Sequence, residues 1–206
     1  MGNVAAPPSK SMAHRALICA ALSEKSIVRG LEHSADIDAT SRCLVELGAE
    51  IRQDGNTTSV GGLVPENAPE CDIFCNESGS TLRFLVPICL LSKNKIVLRG
   101  AARLMERPLS VYSDLCREKG LYFSQTPDGV TVQGPLKCGV YTVRGDISSQ
   151  FISGLLFALP LCDGDSEIRI IGKLESASYI DLTLKSLNDF GIVIDKIPDG
   201  FKIKGG

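Results

Sequence analysis

Apolar and polar positions fall in blocks along this chain, and the same succession of blocks occurs three times. The runs "ALICAAL", "FLVPICLL" and "ISGLLFALPL" are apolar nearly all round, and each follows a serine-containing polar stretch. A helix without a polar face belongs in a core, so these runs predict buried helices over about 11–22, 79–91 and 149–161. Each is followed by a β-branched segment, "SIVRG", "KIVLRG" or "EIRIIG", that reads as a strand. Amphipathic stretches over about 36–47, 108–119 and 178–190 predict outer helices, each stopped by a glycine suited to a left-handed C-cap. Two short alternating segments then flank the turn signals "DGN", "PDG" and "PDG", the signature of a hairpin. A short strand leads into each unit, "NVAA", "CDIFC" or "VYTVRG".

The landmarks keep their register. Ser11, Ser80 and Ser149 are spaced by 69 and 69 residues. Gly30, Gly100 and Gly172 are spaced by 70 and 72, and Gly48, Gly120 and Gly191 by 72 and 71. So many landmarks in one order point to an internal repeat. Residues 1–206 read as a single lobe of three βαβαββ units, approximately 1–66, 67–136 and 137–206. Helix-spanning strand pairs should be parallel. The expected architecture is an α/β (α+β) fold about a pseudo-threefold axis, with buried helices inside and sheets outside, an inside-out α/β barrel.

Composition narrows the function. The chain carries 44% hydrophobic and 22% charged residues, which is globular. Its net charge of −2, 5% aromatic content and lack of tryptophan argue against nucleic acid as a partner. The eight cysteines show only one close pair, Cys71 and Cys75, and no zinc-type spacing, so they read as reduced, largely buried thiols suited to the cytoplasm. No secretory signal and no run long enough to span a bilayer is expected, hence no membrane partner. The opening Met-Gly and closing "KGG" read as the limits of a piece cut from a longer protein.

The symmetry bears on chemistry. Three core helices related by a threefold axis would bring their N-termini to one end of the domain. Each end offers unpaired N–H groups and partial positive charge, and several together would suit a polyanion. The local residues fit: Lys10, Ser11 and Arg15 in the first unit; Gly79 and Arg83 in the second; Ser148, Ser149 and Gln150 in the third. Helix capping is the competing reading for each serine taken alone. His14 reads as a first-turn polar residue, His33 as a loop residue, and Asp36 and Asp38 as caps of the second helix. No Walker or dinucleotide fingerprint occurs.

The segments "PPSKSMAHRALICAAL", "ESGSTLRF", "MERPL", "GDISSQFISGLLFALPL" and "SASYIDLTL" resemble those of the 5-enolpyruvylshikimate-3-phosphate synthase family. That resemblance implies two lobes of three βαβαββ units, of which this chain would be one, with the second, catalytic lobe missing. It implies transfer of the enolpyruvyl group of phosphoenolpyruvate to the 5-hydroxyl of shikimate 3-phosphate, releasing phosphate, with no metal and no organic cofactor. By motif, Lys10 would touch both substrates, and Ser11 and Arg15 would hold shikimate 3-phosphate. Ser148, Ser149 and Ser176 would bind its phosphate, Tyr179 would line its ring, and Gln150 would lie between the substrates. Gly79 and Arg107 would help seat phosphoenolpyruvate. Two motifs depart from family patterns: Ser176-Ala177-Ser178-Tyr179 stands where Ser-Lys-Pro-Tyr is more common, and "ESGST" stands where some members have Asn-Ala-Gly-Thr, leaving the roles of Glu77 and Ser80 open. The main carboxylates would come from the other lobe, so the chain alone should bind without turnover. A lobe of a UDP-N-acetylglucosamine enolpyruvyl transferase, or a non-catalytic binding module, are the alternatives.

Overall fold

The structure, a computed structural model, describes residues 9–206; the lead-in strand expected at "NVAA" lies outside them. Within each unit an apolar helix comes first. These are α1 (Lys10–Ala21), α3 (Gly79–Cys89) and α6 (Ser149–Ala158). The outer helices are α2 (Ala35–Glu46), α5 (Ser110–Lys119) and α7 (Ala177–Asp189). A further short helix, α4 (Ala102–Met105), precedes α5.

Among the described residues the strands form three separate sheets. In the first unit β1 (Ser26–Arg29), β2 (Glu50–Asp54) and β3 (Thr57–Gly61) lie in the order β1-β3-β2. The second unit has β4 (Cys71–Phe74), β5 (Ile96–Arg99), β6 (Tyr122–Thr126) and β7 (Gly129–Gln133), ordered β4-β5-β7-β6. The third has β8 (Val140–Arg144), β9 (Ser166–Ile171), β10 (Ile194–Ile197) and β11 (Gly200–Ile203), ordered β8-β9-β11-β10, the same topology. The helix-spanning pairs β4–β5 and β8–β9 are parallel, as right-handed crossovers require. The hairpins β2–β3, β6–β7 and β10–β11 are antiparallel. The architecture is therefore mixed α/β with helices inside and sheets outside, and the sheets do not join into a closed barrel.

The helix contacts run in a circuit. Helix α1 packs on α2 and α7, α2 on α3 and on β4, α3 on α6, and α6 on α7. Phe84 of α3 meets Phe157 of α6 edge to face at 5.5 Å between centroids, a favoured aromatic geometry. Gly154 permits the close approach of α3, α5 and α6, since a Cβ there would overlap the Tyr112 hydroxyl and lie 2.6 Å from the Arg83 carbonyl oxygen. Pro87 stands inside α3 and has no N–H to offer Arg83, four residues back. The Tyr112 hydroxyl supplies the missing donor, bonding Arg83 O at 2.6 Å.

Local signals explain most boundaries. Gly48, Gly120 and Gly191, just beyond the outer helices, have φ of 112°, 68° and 83°, the left-handed region expected of C-caps. Two ends differ from expectation. Helix α6 stops at Ala158, and a 3-10 turn over Leu159–Leu161 follows, because Pro160 cannot continue the α-helical ladder. The outer helix expected from 108 starts at Ser110, with Pro108 two residues ahead of it. No helix of the described residues is long and apolar enough to cross a membrane. All eight cysteines are free thiols; six are buried, Cys71 is intermediate and Cys138 is exposed.

Candidate functional site

The N-termini of the three inner helices are capped by serines, but not by the ones that lead the repeat. Ser9 accepts from Met12 N, Ser78 from Thr81 N and Ser148 from Gln150 N. Ser11, Ser80 and Ser149 therefore sit inside the first turns, relieved of capping. That separates the two readings of these serines: capping falls to the upstream residue, and the serines of the first turns line a common space. The same holds for α2, whose cap is Ser34; Asp36 and Asp38 lie in its first turn, where their charge complements the helix dipole.

That common space is a cleft of about 310 Å³. Its walls come from α1 (Ser11, Arg15), α3 (Ser80, Arg83, Phe84), the α6 terminus (Ser148, Ser149, Gln150), the start of α7 (Ser176, Tyr179) and Arg107. No carboxylate lines it among the described residues. Larger hollows lie elsewhere, one of about 610 Å³ beside Lys10, Arg29 and His33 and one of about 360 Å³ at the β10–β11 hairpin, but both have carboxylates in their walls, Glu32 in the first and Asp181 and Asp199 in the second.

Arg15 is 2% exposed. Its Nε donates to Thr183 Oγ1 at 2.8 Å, and its terminal nitrogens donate to Ser11 O at 2.7 Å and Tyr179 O at 2.9 Å. The guanidinium also lies 5.0 Å from the centroid of Phe84, a cation–π contact. Burial lowers its pKa to about 10, so it remains charged at neutral pH.

Arg83 stacks over Phe151 at 5.3 Å and donates to Gln150 Oε1 at 2.7 Å, while Gln150 Nε2 donates to Ser80 Oγ at 2.9 Å. Burial, and then the neighbouring Arg107, lower the Arg83 pKa. Arg107 reaches the helix terminus over Gly79: a Cβ there would lie 2.7 Å from one Arg107 terminal nitrogen and 3.4 Å from one of Arg83. Three arginines from two units thus share a cleft without an acid, an arrangement whose electrostatic cost is relieved by an anion.

The remaining residues divide. Ser176 carries φ 56° and ψ 39°, and makes no side-chain cap bond to α7. A left-handed serine is a strained backbone position, and such strain gathers at functional sites. Tyr179 is 47% exposed over the cleft. Lys10 does not line it; its Nζ pairs instead with Asp36 Oδ2 at 2.9 Å. Glu77 is exposed. His14, read as a first-turn polar residue, is buried, and its Nδ1 bonds Thr40 Oγ1 at 2.8 Å. Thr40 in turn meets Thr81 Oγ1 at 2.7 Å, and Thr81 donates to Ser78 Oγ at 2.7 Å, joining α1, α2 and α3 through hydroxyls. His33 is an exposed loop residue bonded to Asp38 and Gln53 at 2.6 Å each.

The sequence placed Arg83 among the donors of an anion site at the helix terminus but assigned it no substrate contact, and left Ser80 open. The signal for Arg83 was its position one turn after the Gly79 approach point; its partner Gln150, 67 residues on, is not legible locally. Among the described residues no group of three His, Cys, Asp or Glu side chains could hold a metal ion.

A family model described as EPSP synthase (3-phosphoshikimate 1-carboxyvinyltransferase) matches residues 1–206. A 3-phosphoshikimate 1-carboxyvinyltransferase of Clostridium kluyveri is 46% identical over 198 residues, covering 94% of this chain and 46% of the relative. One from Clostridium beijerinckii is 47% identical over 218 residues, covering 99% of this chain and 49% of the relative. The structure of an EPSP synthase from Acinetobacter baumannii superimposes with a TM-score of 0.83 at 24% identity, covering 100% of this chain and 47% of that one, a likeness of fold. The chain spans about half the length of the curated relatives it matches.

Proposed function

The chain belongs to the EPSP synthase family, and on that premise we propose that it is the shikimate-3-phosphate-binding lobe of an enolpyruvyl transferase. The complete enzyme moves the enolpyruvyl group of phosphoenolpyruvate to the 5-hydroxyl of shikimate 3-phosphate and releases phosphate. The observation that carries this reading is the cleft in which Arg15, Arg83 and Arg107 converge with five serines and, among the described residues, no carboxylate. Such a site binds a small molecule rich in oxyanions.

Within it, Ser148, Ser149 and the strained Ser176 take the phosphate of shikimate 3-phosphate. Ser11 and Arg15 hold the sugar-like ring from one side and Tyr179 from the other. Arg107, brought close by Gly79, seats phosphoenolpyruvate, and Gln150 stands between the two substrates. Lys10 exchanges Asp36 for the substrates when they arrive. Formation and breakdown of a tetrahedral adduct need a general acid and base, and the cleft itself offers no carboxylate for that work. Those groups belong to a second lobe, whose closure would also exclude water. The chain alone therefore binds weakly and does not turn over.

Two measurements test this. Shikimate 3-phosphate should shift the amide resonances of residues 10–15 and 148–150, and UDP-N-acetylglucosamine should leave them in place; the reverse pattern would assign the lobe to the sibling transferase, and no shift with either would leave a structural module. Incubation of the chain with both substrates should release no phosphate above a blank, and sustained release would refute the division of labour.

A further inference from the structure

Arg83 is held in an arrangement that costs stability. Its Nε is buried and has no hydrogen-bond partner among the described residues, and its neighbour Arg107 carries the same charge. An unmet buried donor is costly, and it persists here alongside a tightly made bond to Gln150. The guanidinium is fixed from behind as well, by its stacking over Phe151 and by the helix that Tyr112 braces at Arg83 O.

The chemistry of the bond settles the orientation of Gln150. A guanidinium only donates, so the oxygen of the Gln150 amide faces Arg83 and the nitrogen faces Ser80, at 2.7 and 2.9 Å. One lone pair of Ser80 Oγ is taken by that nitrogen, which leaves the serine proton directed elsewhere. The second proton of Gln150 Nε2 is likewise uncommitted. We propose that Arg83 is a positioning residue that locks the Gln150 amide with its NH2 towards Ser80, so that this end of the cleft presents the uncommitted protons of Gln150 Nε2 and Ser80 Oγ. The consequence is selectivity: the site accepts a carboxylate or phosphate oxygen against Gln150 and Ser80 and disfavours a group that must itself donate there. This deepens the proposed function and rests on it for the identity of the ligand, but the locking of the amide does not.

The test has two arms on the 206-residue chain. In the first, without ligand, the Gln150 side-chain NH2 protons are followed by 15N NMR. They should be distinct and slow to exchange with solvent in the native protein and in Arg83→Lys, and should collapse to the behaviour of an exposed glutamine in Arg83→Met. Fast exchange in the native protein would overturn the lock whatever the cleft binds. In the second, inorganic phosphate and phosphoenolpyruvate are titrated into the native chain and Gln150→Glu. The glutamate keeps a partner for Arg83, so the thermal midpoint should hold or rise, yet it replaces a donor by an acceptor, so affinity should fall at least tenfold, the loss expected for a charge-assisted bond. Unchanged affinity in Gln150→Glu would overturn the selectivity. A locked amide in a chain that binds neither anion would overturn both the selectivity and the function proposed for the cleft, while leaving the lock in place.

Discussion

Arg15 of the first repeat is held by Thr183 of the third: its Nε donates to the threonine hydroxyl at 2.8 Å across 168 residues of sequence. The same hydroxyl donates onward to Ser153 Oγ at 2.8 Å or to Tyr179 O at 3.2 Å. One side chain thus fixes a buried cation and links α6 to α7. Thr183→Val keeps the shape and removes the oxygen. It should cost about 1–3 kcal/mol, the penalty of an unmet buried donor, read as a lower urea midpoint. A loss of a few tenths would show that Arg15 finds another acceptor.

His14 makes stability depend on pH. Burial lowers its pKa from 6.5 to about 4, outweighing the opposing charge of Asp36, with Arg15 and Lys10 adding to the depression. The unfolded chain therefore binds a proton before the folded one does. The stability that neutral His14 contributes is complete above pH 6.5 and is lost as pH falls towards 4, about 3 kcal/mol in all. His33 acts oppositely: its pKa is raised, first by the bond to Asp38, so its contribution exists at low pH and fades as pH rises. Urea unfolding from pH 7 to 4.5 should show a decline that His14→Gln flattens; parallel profiles would remove the assignment.

Gly154→Ala probes the packing of α6. The added methyl would meet the Tyr112 hydroxyl, Arg83 O at 2.6 Å and Pro87 Cγ at 3.2 Å. None of these is the loose end of a side chain. Overpacking of this kind costs about 1–3 kcal/mol. Because Tyr112 would be displaced from Arg83 O, the variant should lose near-ultraviolet tyrosine dichroism as well as thermal stability.

Gly79→Ala should behave differently. Its methyl would press on Arg107, an exposed side chain free to swing away. Stability should change by no more than about 0.5 kcal/mol, whereas phosphoenolpyruvate affinity should fall about tenfold or more as the arginine leaves. Calorimetry and ligand titration on one sample separate the two effects, and equal loss of both would argue for a folding role.

Asp36→Asn should release Lys10. Lys10 is exposed and Asp36 half-buried at the surface, so the bond is worth about 1 kcal/mol. Shikimate 3-phosphate should bind up to about fivefold more tightly, because its attraction for Lys10 no longer competes with a carboxylate. Weaker binding would mean that Asp36 presents the lysine instead of restraining it.

What could be read from the sequence was what depends on near neighbours and on repetition. Gly48, Gly120 and Gly191 announce helix ends because a left-handed residue is a local demand, and the hairpins follow from three short turn signals. The apolar helices declare their burial by having no polar face. The convergence of Ser11, Ser80 and Ser149 followed from the repeat itself, whereas Arg107 was placed beside them by the family resemblance alone. Other features depend on partners far along the chain. The capping of α1, α3 and α6 by Ser9, Ser78 and Ser148 could not be told from capping by their neighbours, since adjacent serines offer the same chemistry. The burial of His14 depends on Thr40, and the locking of Gln150 on Arg83, contacts that span 26 and 67 residues. Helix α4 fills a place in the second unit that the other two leave without a helix, and nothing in its short stretch announces it.

The contact of α7 with α1 has a consequence for how this molecule could have grown. A linear stack of repeats has two end units and tolerates gain or loss of one. Here the last unit supplies the neighbour that the first would otherwise lack, so removing any third of the chain strips apolar surface from both survivors at once, and a fourth copy would find no open flank to join.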